Sequence, residues 1–358
     1  MLTVTGDEGG QRLDRWLRRR FPQLTQVAVE KMCRKGQIRV EGARVRASTH
    51  VTPGQRVRVP PLGSALSVAG PTGPAATRAG ARIQAVAIRP ADARMIEDSV
   101  LWMDDHIIVL NKPPGLASQG GSGQGERHVD GLAEALRFGR AEKPRLVHRL
   151  DRDTSGILLL ARSARVARAL SEALRHRRTR KIYWALVAGA PQPRAGSIRL
   201  FLARTPGHGR GGEGEKMVCL TQEQAAAQPE AKRAHTDYFT LWFLGTRMSW
   251  MALEPVTGRT HQLRAHMAAI GHPILGDGKY GGSAAENPGD GWGAGVGGDI
   301  SRKMHLHARS IAFEHPITKQ RVQFSAPLPP HMKRTWELLG WNEGDVPEDP
   351  FTPHGAAG

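Results

Sequence analysis

Residues 61–97, PLGSALSVAGPTGPAATRAGARIQAVAIRPADARMIE, limit more than any other stretch what this chain can fold into. They are rich in Pro, Gly and Ala and show no clear apolar period, so they offer no face to a core and read as a linker. A chain of 358 residues interrupted there is expected to build a small core before the stretch and a large one after it. The expected division is a compact block over 1–60, the linker over 61–97, a large domain over 98–340 and a loose tail over 341–358.

The first block is strongly basic. QRLDRWLRRRFPQL sets Leu13, Trp16, Leu17 and Phe21 at helical spacing with Arg15, Arg18, Arg19 and Arg20 around them, and Thr25 is placed to cap a second helix that stops at Gly36. Short strands separated by Gly turns follow. Residues 1–60 hold 13 Lys plus Arg against 5 Asp plus Glu, and the whole chain 51 against 33, a formal charge of +18. Such an excess of one sign attracts polyanions, with nucleic acid the default partner. Cys33 and Cys219 stand far apart, which suits a reducing compartment and excludes a disulfide scaffold. The acidic opening MLTVTGDEGG is no secretory signal, and apolar runs such as GILLLA are too short for a bilayer. A cytoplasmic protein with no membrane partner is expected, acting as a monomer.

The large domain reads as mixed α+β. VLWMDDHIIVLNK suggests two strands about an Asp-Asp turn, and KIYWALVAG, HTDYFTLWFLG, RMSWMALEPV, ARSIAFEHP and QRVQFSAP suggest further strands. DGLAEALRFG, ARVARALSEALRHR and THQLRAHMAAIGH suggest helices. The stretches 203–235 and 281–302 are Gly-rich and polar and read as surface insertions.

GRGGEG at Gly209–Gly214 matches a dinucleotide-loop pattern but lacks the strand before it and the helix after it. His261 and His266, five apart on a helix, cannot share a metal, and nothing is spaced to join His305 and His307. The charged junction HRLDRDTSG survives these tests. Alone, Asp151 before Thr-Ser-Gly is a turn residue. Flanked by Arg149 and Arg152 at the end of the strand LVHRL, it is a carboxylate favoured in its charged form and suited to act as nucleophile or base.

HRLDRDTSGILLLAR resembles the signature of the RluA family of RNA pseudouridine synthases. DDHIIVLNKPPGLASQGG, RKIYWALVAG and PVTGRTHQLRAHMAAIGHPILGDGKYGG agree with the family's other segments in the right order, and 1–60 resembles an S4-type RNA-binding domain. The match covers nearly all of 1–335 apart from the linker and the Gly-rich insertions. The resemblance implies an α+β catalytic domain built on a mixed, largely antiparallel sheet with flanking helices and a central cleft. It also implies a reaction that breaks the N-glycosidic bond of a uridine in RNA and rejoins the base through carbon five, with no cofactor and no metal.

By the same resemblance, Asp151 matches the catalytic aspartate and Arg264 the basic residue paired with it. Tyr183 matches the tyrosine packed against the base and is also a candidate base for the proton on carbon five. Arg149 matches the arginine that fills the space of a flipped nucleotide. Arg152, Lys112 and Arg259 are expected to contact RNA at the cleft, and Arg18, Arg19 and Lys35 to do so on the first block. Asn111, Lys112 and Pro113 are expected to shape the cleft wall, Thr260 to cap the helix bearing Arg264, and His148 to bond backbone. Large-subunit ribosomal RNA is the expected substrate, with transfer RNA the alternative. The competing classes are an inactive RNA-binding assembly factor and a ribonuclease or glycosidase needing a second acid across the cleft.

Overall fold

In the computed structural model the described residues are 1–5, 8–21, 24, 26–60, 88–120, 127–175, 178–205, 216–281, 300–347 and 349–351. The chain divides into two compact units, Met1–Ile83 and Gln84–Gly358.

The first unit contains β1 (Leu2–Thr3), α1 (Leu13–Arg20), α2 (Gln26–Arg34), β2 (Arg39–Val40), β3 (Ala43–Arg44) and β4 (Arg56–Arg58). Its four strands lie in the order β1-β4-β2-β3. On α1, Leu13, Trp16 and Leu17 recur at the 3.6 period and are fully buried, packing with Val29, Met32, Val40 and Val57. Arg15, Arg18 and Arg19 therefore fall on the solvent face. Thr25 lies outside the described residues.

The second unit runs α3 (Pro90–Glu97), β5 (Val100–Met103), β6 (Ile107–Lys112), α4 (Val129–Leu132), β7 (Arg145–Leu146), β8 (Ser155–Ala161), α5 (Ala164–Ala173), β9 (Arg180–Ala188) and β10 (Ala195–Arg204). It continues with β11 (Met217–Leu220), α6 (Gln222–Ala226), β12 (Lys232–Leu244), β13 (Met248–Pro255), α7 (Gln262–Ala269), β14 (Leu306–Glu314), β15 (Arg321–Ser325) and α8 (Pro330–Leu338). Eleven strands form one sheet along the path β11-β10-β12-β13-β9-β14-β8-β6-β5, with β15 added to β14 and β7 to β8. Among the described residues its pairings are antiparallel except for a short parallel step between β8 and β14, where Ser155 and Gly156 face His307 and Ala308. Gly156 makes that step possible. Its φ is +103°, and a Cβ there would sit 2.3 Å from the Ala308 carbonyl oxygen.

The two-residue period of β9 sorts its side chains between two layers. Ile182, Trp184 and Leu186 pack with Trp250 and with Trp336 of α8, while Tyr183, Ala185 and Val187 pack with Leu263 and Met267 of α7. Strand β8 is buried at every position, and its Ile157–Leu160 joins Ile107–Leu110 of β6 and Leu170 of α5 in the main core.

Several expectations need correction. The end of the expected linker is helix α3, whose Ile96 is fully buried in the main core; residues 61–87 lie outside the described residues. The insertion expected over 203–235 is largely regular: β10 runs to Arg204, and β11, the capped helix α6 and the start of β12 follow. Residues 206–215, with the rejected Gly209–Gly214 pattern, and 282–299 lie outside the described residues. DGLAEALRFG is not one helix but α4 and a separate 3-10 turn, Ala135–Arg137. The tail is anchored as far as Phe351: Trp341 stacks on Trp250, and Asp349 pairs with Arg180 at 2.7 Å.

Candidate active site

Asp151 sits between β7 and β8, on a segment clamped from both sides. Before it, the Ser118 hydroxyl donates to the Leu150 carbonyl at 2.7 Å and accepts from the Leu150 N–H at 3.0 Å. After it, the Arg152 carbonyl accepts from Lys112 Nζ at 3.0 Å and from the Gly115 N–H at 2.9 Å. The Lys112 ammonium also donates to the carbonyls of Pro113 and Leu116, so its three protons meet three backbone oxygens. Lys112 is 0% exposed, and burial pulls its pKa down to about 7 against the opposing charges of Asp153 and Asp151. The expectation that Lys112 binds RNA is therefore wrong: its head is spent inside the protein, where it holds the loop that carries Asp151.

Arg264, on the first turn of α7, reaches Asp151 from the opposite wall. Its Nη1 donates to Asp151 Oδ2 at 3.1 Å. Its Nε and Nη2 donate to the two oxygens of Asp277 at 2.7 and 2.8 Å, a bidentate fork that fixes the guanidinium plane. Asp277 is only 1% exposed and also accepts from the N–H groups of Lys279 and Tyr280. Burial works against the charge of Arg264, but the hydrogen bonds and charge of Asp277, with Asp151 behind them, more than offset it and raise its pKa. Among the described residues no hydrogen bond falls on Asp151 Oδ1. The helix is not capped by Thr260 as expected. His261 occupies the cap in a left-handed conformation with no side-chain cap bond, and the Gln262 side chain accepts from the Arg259 N–H instead.

Both walls open onto a cleft of about 1750 Å³, lined by eight Lys or Arg and five Asp or Glu. Small-molecule sites run to roughly 1,000 Å³, so the space and the cationic surplus suit a segment of polyanion. Tyr183 and Lys181 line it from one face of β9. Burial, then the charge of Asp151, pushes the Tyr183 phenol above the ordinary tyrosine range. Arg149, Arg152 and Arg259 line the cleft with exposed side chains; Arg152 Nε donates to the Gly115 carbonyl and Arg259 Nε to the Arg233 carbonyl. Arg18, Arg19 and Lys35 are exposed on the first unit, and Asp151, Tyr183 and Arg264 belong to the second.

Three further histidines, His148, His305 and His307, behave as core groups. His148 Nε2 accepts from the Leu159 N–H at 3.0 Å, as its position suggested, and burial with the Lys181 charge pulls it down to about 3. His307 bonds Ser155 and His305 bonds Thr335, each ring pulled to about 3 chiefly by burial. Three functional-site residues were missed in the sequence: Asp277, His261 and Tyr280. An Asp between two glycines in a chain poor in acids, thirteen positions after Arg264, was the available signal for Asp277.

The family model described as RNA pseudouridylate synthase matches residues 106–269, and the S4 domain model matches residues 11–57. The chain is 34% identical over 339 residues to the ribosomal large subunit pseudouridine synthase C of Escherichia coli K12, covering 95% of this chain and 96% of the relative. It is 34% identical over 341 residues to the protein of the same name from Haemophilus influenzae, covering 95% and 94%. Among solved structures, human RNA pseudouridylate synthase domain containing 4 superposes with a TM-score of 0.54 at 26% identity, covering 69% of this chain and 95% of that one.

Proposed function

This chain belongs to the RNA pseudouridylate synthase family, and from that premise we propose that it converts uridines of large-subunit ribosomal RNA to pseudouridine, with Asp151 as the reacting carboxylate. The observation that carries the assignment is the asymmetry of that carboxylate. Oδ2 is held by Arg264, while Oδ1 carries no hydrogen bond from a described residue in a cleft that Tyr183 also lines.

The reaction is an isomerisation. The N1–C1′ bond breaks, the uracil turns, a C5–C1′ bond forms, and the proton on carbon five leaves while N1 gains one. Asp151 offers its uncommitted oxygen to the nucleotide, and Arg264, itself locked by Asp277, keeps that oxygen in place. Tyr183 serves as a packed ring: its raised phenol pKa keeps it protonated, which disfavours the base role weighed from sequence. In this reading Arg149, exposed and lining the cleft, fills the gap left by a flipped base, where a guanidinium plane can stack. A glycosidase-type acid pair is disfavoured, because the other acid beside Arg264, Asp277, is buried and fully paired, and of the remaining cleft acids Asp237 is held by Ser197 and His235 and Glu254 by Arg180.

The large-subunit target rests on the names of the relatives and on the basic first unit. The test is tritium release from carbon-five-labelled transcripts of large-subunit ribosomal RNA and of transfer RNA, with chain length followed in parallel. Release from the ribosomal transcript without shortening is expected. Release from transfer RNA alone would move the substrate, and release from neither would overturn the reading.

A further inference from the structure

His261 stands at the one backbone position of the site that a side-chain-bearing residue adopts with difficulty. Its φ and ψ are 51° and 22°, the left-handed region, at the residue that opens α7. The strain brings its ring to Asp151: Nε2 lies 3.7 Å from Oδ2, the oxygen that already accepts from Arg264. On the other side of the ring, Nδ1 lies 2.8 Å from the hydroxyl of Tyr280. That hydroxyl accepts from the Met217 N–H at 2.9 Å, a backbone donor whose direction is fixed. The Tyr280 oxygen receives from Met217, and among the described residues His261 Nδ1 is the acceptor within hydrogen-bond distance of its one phenolic proton, so the hydroxyl satisfies both its roles by donating to that nitrogen. The histidine then accepts at Nδ1 and carries its proton on Nε2, facing the carboxylate.

We propose that His261, locked by Tyr280 as the Nε2–H tautomer, is a positioning residue that joins Arg264 in pinning Oδ2 of Asp151, so that Oδ1 alone meets the nucleotide. The charges around the ring fit a neutral donor. Burial lowers the pKa of His261; Asp151 and Asp277 oppose that, and Arg264 and Lys279 add to it. The Tyr280 phenol, raised chiefly by burial, keeps the proton it donates. The 3.7 Å separation is longer than a hydrogen bond, so the proposed role requires the contact to close as Asp151 engages substrate. This role rests on Asp151 being the reacting group of the proposed function.

The experiment uses the full chain and three variants. His261→Gly relieves the left-handed strain, so the fold is spared while the donor is lost. His261→Gln returns an amide N–H near the Nε2 position. Tyr280→Phe removes the tautomer lock. The expected result is a roughly 10- to 100-fold loss of kcat in His261→Gly, the range of one hydrogen bond to a charged group, with KM for RNA near wild type. His261→Gln should recover most of that loss, and Tyr280→Phe should lose several-fold. Nitrogen-15 NMR of labelled wild-type protein should find the His261 proton on Nε2, and the Tyr280→Phe spectrum should show that preference weakened. Wild-type kcat in His261→Gly, a loss confined to KM, or a proton found on Nδ1 would each overturn the proposal. An inactive wild-type protein would instead overturn the functional reading, and the role in catalysis with it, while the tautomer would be read independently of activity.

Discussion

Replacing Arg264 by Met removes one cation from between two carboxylates of very different surroundings. Asp151 has a side chain 27% exposed, so water takes over much of what it loses; Asp277, at 1%, has no such recourse. Asp277 would forfeit the two charge-assisted bonds at 2.7 and 2.8 Å and keep only the N–H groups of Lys279 and Tyr280. Stranding a buried charge in this way costs about 3–5 kcal/mol, a large share of the roughly 5–15 kcal/mol that holds a domain folded. Arg264→Met should therefore lower the urea midpoint of the second unit and abolish tritium release. Adding Asp277→Asn removes the stranded charge and leaves an amide oxygen for the two N–H groups. The double variant should regain most of the lost stability but no activity, because Asp151 still lacks its partner. A double variant no more stable than Arg264→Met would refute the claim that Asp277 is the charge left stranded. Recovered turnover would refute the claim that Arg264 acts through Asp151.

His266, His305 and His307 are fully buried and held neutral, down to about 4, 3 and 3, chiefly by burial. Above the ordinary pKa of about 6.5 both folded and unfolded states bind no proton there, and below it only the unfolded state gains one, so stability falls as pH drops from about 6.5 towards 4. At pH 5 each ring should cost about 2 kcal/mol, read as a lower urea midpoint than at pH 7, and equal midpoints would contradict their burial as neutral rings. A chain beginning at Gln84 should fold and still isomerise saturating RNA, but bind with a log–log salt slope shallower by about two to three units if the first unit makes roughly three phosphate contacts; equal slopes would deny that unit an RNA-binding role. Gly156→Ala places a Cβ 2.3 Å from a backbone oxygen at a positive φ and should destabilise by more than about 1 kcal/mol in urea unfolding, whereas an unchanged midpoint would mean the β8–β14 step adjusts without cost.

What was legible in the sequence was local. HRLDRDTSG marked a charged turn at the end of a strand, and Asp151 lies there after β7; the buried strand β8 that follows was read only as the short apolar run GILLLA. KIYWALVAG read as a strand, and β9 lies there, with Tyr183 and Trp184 packing into different layers. Illegible were the features that only the tertiary fold creates. Lys112 reads as a surface cation until three carbonyls from two separate loops close around it. Asp277 lies in GDGKYGG, a stretch with no period, and its partner is supplied by α7 folding back on it. Helix α3 hides at the end of an Ala- and Pro-rich run because its apolar hold on the core is one buried side chain, Ile96, with Met95 partly buried beside it. His261 was set aside as a poor metal ligand, a question that its left-handed backbone and its contact with Asp151 bypass.

The central claim is that Asp151 performs the chemistry, and the most direct measurement is single-turnover tritium release from carbon-five-labelled large-subunit RNA by wild type and by Asp151→Asn, with RNA affinity measured on the same preparations. The change is isosteric and removes no contact to phosphate. Release by wild type, none by Asp151→Asn, and affinities within about twofold of each other are expected, since losing a catalytic group without losing uniform binding leaves ground-state affinity unchanged. Release by a clean preparation of Asp151→Asn would contradict the claim.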